Sequence, residues 1–408
     1  MSIDTTRPDI AEHEATGNLA YDPVRESLTV LPRIFALPLT LLSGKPHLGQ
    51  RPLRLTPATH LVCALVSLAA GLTVSAEALG AGGGRLWLLI VGWGMTLHGM
   101  RNLRMMIYHQ CAHRNMWNRK RTDRLLGRLV AGLLVVQHFD RYSTEHVADH
   151  HGVHHMTLRD PTVQAFLVSL RLRPGLTRRQ MWRRVITRLA SPVFHGRFLY
   201  ARIRSYLHGA GAGERILFGV WLAGVAAAAW LLHGWTFLAV GWLLPATFFY
   251  QISNTLRLCV KHTFPPAGRQ AGRGRAYFGS LTNAIFIGEA APGPEARGAR
   301  RAAAWLRWWL RLALVHFPAR YLVLTGDTVC HDFHHRHPMT REWANYIFAR
   351  ERDAHEPGRG WPPYRAVWGL APAIGHVFDS LGAADPAEYD PARLAEVSRR
   401  ELFAAFDD

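Results

Sequence analysis

Three observations predict an all-α integral membrane protein, with four transmembrane helices in two hairpins and a cytoplasmic helical domain. Four apolar stretches reach the length a bilayer demands of a helix, about 20 residues. They fall into two pairs, each joined by a loop too short to hold a domain. Between the pairs, residues 106–215 carry about twenty Arg and Lys, and positive loops stay in the cytoplasm.

Each element follows in order. Residues 1–58 open with "MSIDTTRPDIAEHEATGN", polar and mixed in charge, which is no secretory signal and reads as a cytoplasmic N-terminal segment. The first span covers 60–79, "HLVCALVSLAAGLTVSAEAL", and "GAGGGR" turns it into the second, 86–105. The third and fourth spans cover 216–232 and 235–252, joined by "HG". The first and third lack the polar face that a surface helix needs. A fifth apolar stretch, "RRAAAWLRWWLRLALVHFPARYLVL", is interrupted by Arg301, Arg307 and Arg311 among tryptophans. It reads as an interfacial amphipathic helix rather than a span, and the Arg-dense run 171–204 reads similarly, against anionic headgroups. The membrane domain thus occupies 59–370, and 371–408 form a C-terminal cytoplasmic tail.

Composition agrees. Of 408 residues, 49% are hydrophobic, yet the net charge is +19, so apolar and basic stretches must be segregated. The basic excess suits nucleic acid, an anionic membrane surface or an acidic partner; the partner expected is the membrane, with no nucleic acid. The Arg-, Ala- and Gly-rich bias suggests a GC-rich bacterial genome, and so the bacterial inner membrane. Four cysteines without a C-x-x-C pair form no disulfide framework.

Histidines recur in three clusters, all on the side assigned to the cytoplasm. "YHQCAHRN" carries His109 and His113, just past the second span. "EHVADHHGVHHMTLRDP" carries His146, His150, His151, His154 and His155. "CHDFHHRHP" carries His331, His334 and His335. Helical positions i, i+3 and i+4 lie on one face, which is ligand spacing. Neutral imidazole suits Fe, Zn, Cu and Ni, and eight or more imidazoles exceed the needs of one ion, so two metals share the set. Neither H-E-x-x-H nor E-x-x-H occurs, which argues against a zinc protease and a carboxylate-rich di-iron bundle. Asp149, Asp160 and Asp332 lie beside the clusters and are placed to orient ligand imidazoles.

With these residues in view, the chain resembles the integral-membrane fatty acid desaturase and hydroxylase superfamily over residues 60–370. That family shows H-x3-4-H and two H-x2-3-H-H boxes on the cytoplasmic side of two transmembrane hairpins. Here the boxes read His109/His113, His146/His150/His151 and His331/His334/His335. "TLRDPT" (157–162) is similar to the T-x-x-D-P that follows box two, and "WANYIFAR" to the region after box three. The family's further histidine before box three corresponds to His262 in "LRLCVKHTF", although Lys261 stands where an acidic residue is usual. Box two has three registers: His146/His150/His151, His150/His154/His155 and His151/His154/His155. Counting back from Thr157 favours the first, which leaves His154 and His155 outside the ligand set.

The resemblance implies a non-haem di-iron oxidoreductase that uses O2 to desaturate a fatty acyl chain in lipid metabolism. It implies two Fe held by these histidines, a lipid or acyl-thioester substrate, and an external electron donor of ferredoxin or haem type. No flavin fingerprint or iron–sulfur cysteine spacing supplies electrons within the chain. A hydroxylase of an acyl or alkyl chain is the alternative on the same scaffold. A membrane metal transporter is the alternative of another class, but it would place its ligands within the spans.

Overall fold

The computed structural model describes residues 22–147, 154–268, 274–295, 297–356, 358 and 360–396. Helices dominate. Among the described residues the only sheet is a parallel pair of three-residue strands, β1 (Ala284–Phe286) beside β2 (Ala366–Trp368), a small addition to the all-helical expectation.

The first hairpin is α1 (Pro57–Ala81) and α2 (Leu88–Asn102). Thr56 begins α1 with a reciprocal cap, its hydroxyl accepting from the Thr59 amide while the Thr59 hydroxyl accepts from its own, and Pro57 occupies the first helical position. The two helices pack almost backbone to backbone. A Cβ on Gly71 would lie 2.3 Å from the Thr96 amide nitrogen, and one on Gly99 would lie 2.6 Å from that of Leu68. Only glycine permits that approach, the packing device of helices that associate in lipid.

Among the described residues two helices are long and apolar enough to cross a membrane: α1 and, further along, Ala212–Leu231. Only 6% of the most apolar window of the latter is buried by the rest of the chain, so Ile216, Leu217 and Val220 face outward uncovered. The other two apolar stretches are helical but interrupted. Beyond α2 the helix widens into a π turn at Leu103–Tyr108 before His109–Ala112. The fourth stretch runs through π turns at Phe237–Leu243 and Pro245–Phe249, where Pro245 lacks the amide an α-helix would use. Among the described residues two uninterrupted helices, rather than four, therefore have the length and apolar character of a span.

Between these apolar elements lie α3 (Lys120–Leu134), α4 (Phe139–Glu145), α5 (Arg178–Leu189) and α6 (Pro192–Gly209), and α7 is Ala212–Leu231. Then follow α8 (Tyr250–Lys261), α9 (Gly298–Arg311), α10 (His331–Arg336), α11 (Tyr346–His355) and α12 (Leu370–Gly382). On α9 and its continuation, Leu306, Leu310 and Leu314 are exposed at four-residue spacing while Trp308 is buried, an amphipathic arrangement.

Candidate metal centre

Two groups of buried histidines lie side by side. The first joins His109, His113, His146 and His334; the second joins His262, His331 and His335. Within each group the ligand atoms lie within 4.8 Å of one another.

The first group is assembled by three devices. The π turn hands the chain to His109–Ala112, so His109 and His113 stand one helical turn apart with ring centroids 5.0 Å apart. The same turn buries Arg104 against the rings of Tyr108 and Tyr142, at 4.4 and 4.3 Å. Tyr142 in turn stacks on His146 at 4.9 Å, which fixes that imidazole at the end of α4. His109 directs Nδ1 at the Met105 carbonyl oxygen, 3.3 Å, and Nε2 at Nε2 of His146, 2.8 Å. Burial first, then the neighbouring imidazoles of His334, His146 and His113, hold His109 well below the ordinary histidine range. The neutral form that binds metal is the form this setting favours.

The second group starts at a helix end. His262 follows α8 in extended backbone and bridges to Thr282 in strand fashion. Its Nε2 lies 3.2 Å from Nε2 of His331. Two nitrogens bound at right angles to one ion, at about 2.1 Å each, would sit about 3 Å apart, so both close pairs suit shared ions.

One turn of helix serves both groups. His331 and His335 contribute to the second while His334, rotated by about 100° from His335, contributes to the first. The groups are neighbours, since the His331 and His334 rings are 5.9 Å apart. Among the described residues the groups offer seven imidazoles and no thiolate or carboxylate, which suits a borderline metal such as iron, zinc or copper.

Of the sequence-predicted ligands, His109, His113, His146, His262, His331, His334 and His335 are brought into these groups; His150 and His151 lie outside the described residues, as does Asp149. His155, set outside the ligand set by the favoured register, is buried with its ring 4.7 Å from His262 and 5.0 Å from His335. Asp160 holds that turn: it accepts from the Met156 and Thr162 amides and lies 3.7 Å from Nδ1 of His155. Asp-Pro as a helix cap was the signal that His155 sits in a fixed turn. Asp332, expected to orient an imidazole, is gripped by the Arg350 guanidinium in a buried two-pronged pair, 2.9 and 2.7 Å. His337 meets Asp353 at 3.0 Å.

No family model, no curated protein and no solved structure matches the chain. The functional reading therefore rests on the residues and their geometry.

Proposed function

We propose that the chain is a membrane-bound non-haem di-iron oxidoreductase that desaturates a fatty acyl chain with O2. The observation that carries this reading is the pair of adjacent, buried, all-imidazole groups served by one turn of α10. The residues fit two irons by donor type, spacing and neutrality. When bound, such a pair supplies the oxidising power to break an unactivated C–H bond, which no side chain possesses.

The protein's own residues do the rest. His109, His113, His146 and His334 would hold one ion, and His262, His331 and His335 the other. An apolar cavity of about 740 Å3, lined in part by Trp93, Leu97, Leu256, Val323 and Ile374, has the size and character to receive a hydrocarbon chain. Removing two hydrogens from adjacent carbons consumes one O2, two electrons and two protons and releases two waters. The electrons come from an external donor of ferredoxin or haem type, for which the basic surface is suited. The substrate is a lipid or an acyl thioester.

In the same reading the second and fourth apolar stretches also span, despite their π turns, and all histidine groups face the cytoplasm of a bacterial inner membrane. Cysteine accessibility at position 82, at the exposed position 159 and at position 340 tests it: 159 and 340 should label from the same side. A hydroxylase would use the same centre and differ in the fate of the chain. Metal analysis of the purified chain, with mass spectrometry of host lipids, decides between the possibilities. About two tightly held irons per chain and a product lighter by two hydrogens support desaturation. A product gaining one oxygen supports hydroxylation, and an exchangeable divalent ion without a lipid product would overturn both.

A further inference from the structure

A second concave site lies on the basic helices that the histidine centre does not use. Arg171, Arg183, Arg184 and Arg188 line a pocket of about 690 Å3. Arg184 and Arg188 stand one turn apart on α5 and share a face. Arg171 joins them from left-handed backbone, φ 56°, a conformation that a residue with a side chain keeps only where its surroundings impose it. The Arg184 guanidinium donates to the Arg171 carbonyl oxygen, tying the two walls together.

The charge in this pocket is not compensated from within. Among the described residues, no carboxylate pairs with any of the four arginines, and none lines the pocket. Burial and the repulsion of Arg171, Arg197 and Arg184 push the Arg188 guanidinium below its ordinary range. Converging guanidiniums without a counter-ion repel one another; an anion with several oxygens converts that repulsion into charge-assisted hydrogen bonds.

The surroundings identify the anion's carrier. Ser191 lines the pocket and caps α6, whose outward stripe reads Val193, Arg197, Tyr200, Ile203 and Arg204. Val193 and Tyr200 are 62% and 60% exposed. Apolar side chains interleaved with arginines on one exposed stripe belong at a lipid–water boundary, not around a site for a soluble ion. α6 also ends at Gly209, just before α7, one of the two helices able to cross a membrane. We propose that the arginine pocket binds the phosphate of an anionic phospholipid headgroup and so seats α5 and α6 on the membrane surface. This holds whether or not the centre is di-iron.

The test is equilibrium binding of phosphatidylglycerol and phosphatidylcholine to the full-length protein in neutral detergent, read by native mass spectrometry. The wild type should prefer phosphatidylglycerol. Arg184→Gln with Arg188→Gln should weaken that binding about thirtyfold, and Arg188→Gln alone, the fallback if the double variant does not fold, about fivefold. Metal content should stay unchanged in both. Equal affinity of the variants and the wild type for phosphatidylglycerol would overturn the site. So would a wild type indifferent to headgroup. Inorganic phosphate that binds as tightly without lipid, and is lost in the same variants, would reassign the pocket to a soluble phosphate and overturn the lipid carrier.

Discussion

The two histidine groups differ in number and in how they are held. The first has four imidazoles, enough to saturate a tetrahedral ion, drawn from a helical i, i+4 pair, the end of α4 and α10. Among the described residues the second has three, and its first member comes from extended backbone at a helix end rather than from a helix. The comparison also locates fragility: the first group stands on stacked aromatic and Arg side chains, the second on the turn that carries His155.

The largest effect should come from thinning the poorer group. His262→Ala leaves two imidazoles there among the described residues, too few to retain an ion through dialysis, while the first group keeps its four. Metal content should fall from two per chain to one, and product formation should stop. His113→Ala, which leaves three in the first group, should lose its ion only against a competing chelator. Elemental analysis before and after chelation reads both, and a His262→Ala protein that keeps two ions would break the comparison.

Where one substitution should strike both groups alike is the Asp332–Arg350 pair. Asp332 is next to His331 on the helix that feeds both groups, and Arg350 grips it from α11 with both partners buried. Arg350→Met strands a buried carboxylate, which costs about 3–5 kcal/mol. Thermal unfolding should show that loss, and both ions should loosen together. Adding Asp332→Asn should restore much of the stability, since no unpaired charge then remains. Loosening of one ion alone would show that α10 does not act as a rigid bar between the groups.

These cases show what the sequence made legible. Helical spacing announced His109/His113 and His331/His334/His335, because ligands on one short helix are a local pattern. His146 and His262 could be named from their setting, but their partners lie far along the chain. The split of one helical turn between two groups was hidden, since i, i+3 and i+4 share a face only coarsely. The π turns were invisible in composition. Arg350, at the end of "WANYIFAR", carries no local pattern that points to Asp332, its partner 18 positions away. Apolar length found the helical stretches, but not that two of the four would be interrupted.

A smaller effect concerns the floor of the first group alone. Gln110, adjacent to His109, donates to Asp327 at 3.3 Å, and burial pushes the Asp327 carboxyl up to about 6. The folded chain therefore keeps a proton that the unfolded chain releases near pH 4. Stability falls as pH rises through about 4 to 6, by about 3 kcal/mol in all. Asp327→Asn should erase that slope and raise the unfolding temperature at neutral pH, without altering the second ion. A slope that persists in the variant would assign it to another group.

The finest distinction is between His146 and His155, which lie nine positions apart in one segment yet serve different groups. His146 belongs to the four-membered group, with Nε2 2.8 Å from that of His109. His155 packs on His262 and His335 of the other without joining the set of ligand atoms within 4.8 Å. His146→Ala should therefore act on the first ion as His109→Ala does, leaving the second untouched. His155→Ala should spare the first ion and weaken the second by only about tenfold, the scale expected when a neighbour that orients a ligand is lost. Competitive chelation of each variant, followed by elemental analysis, separates the two ions by their different release thresholds. If His155→Ala empties the second group as completely as His262→Ala, His155 is itself a ligand. Among the described residues the two groups would then have four imidazoles each, and the asymmetry between them would vanish.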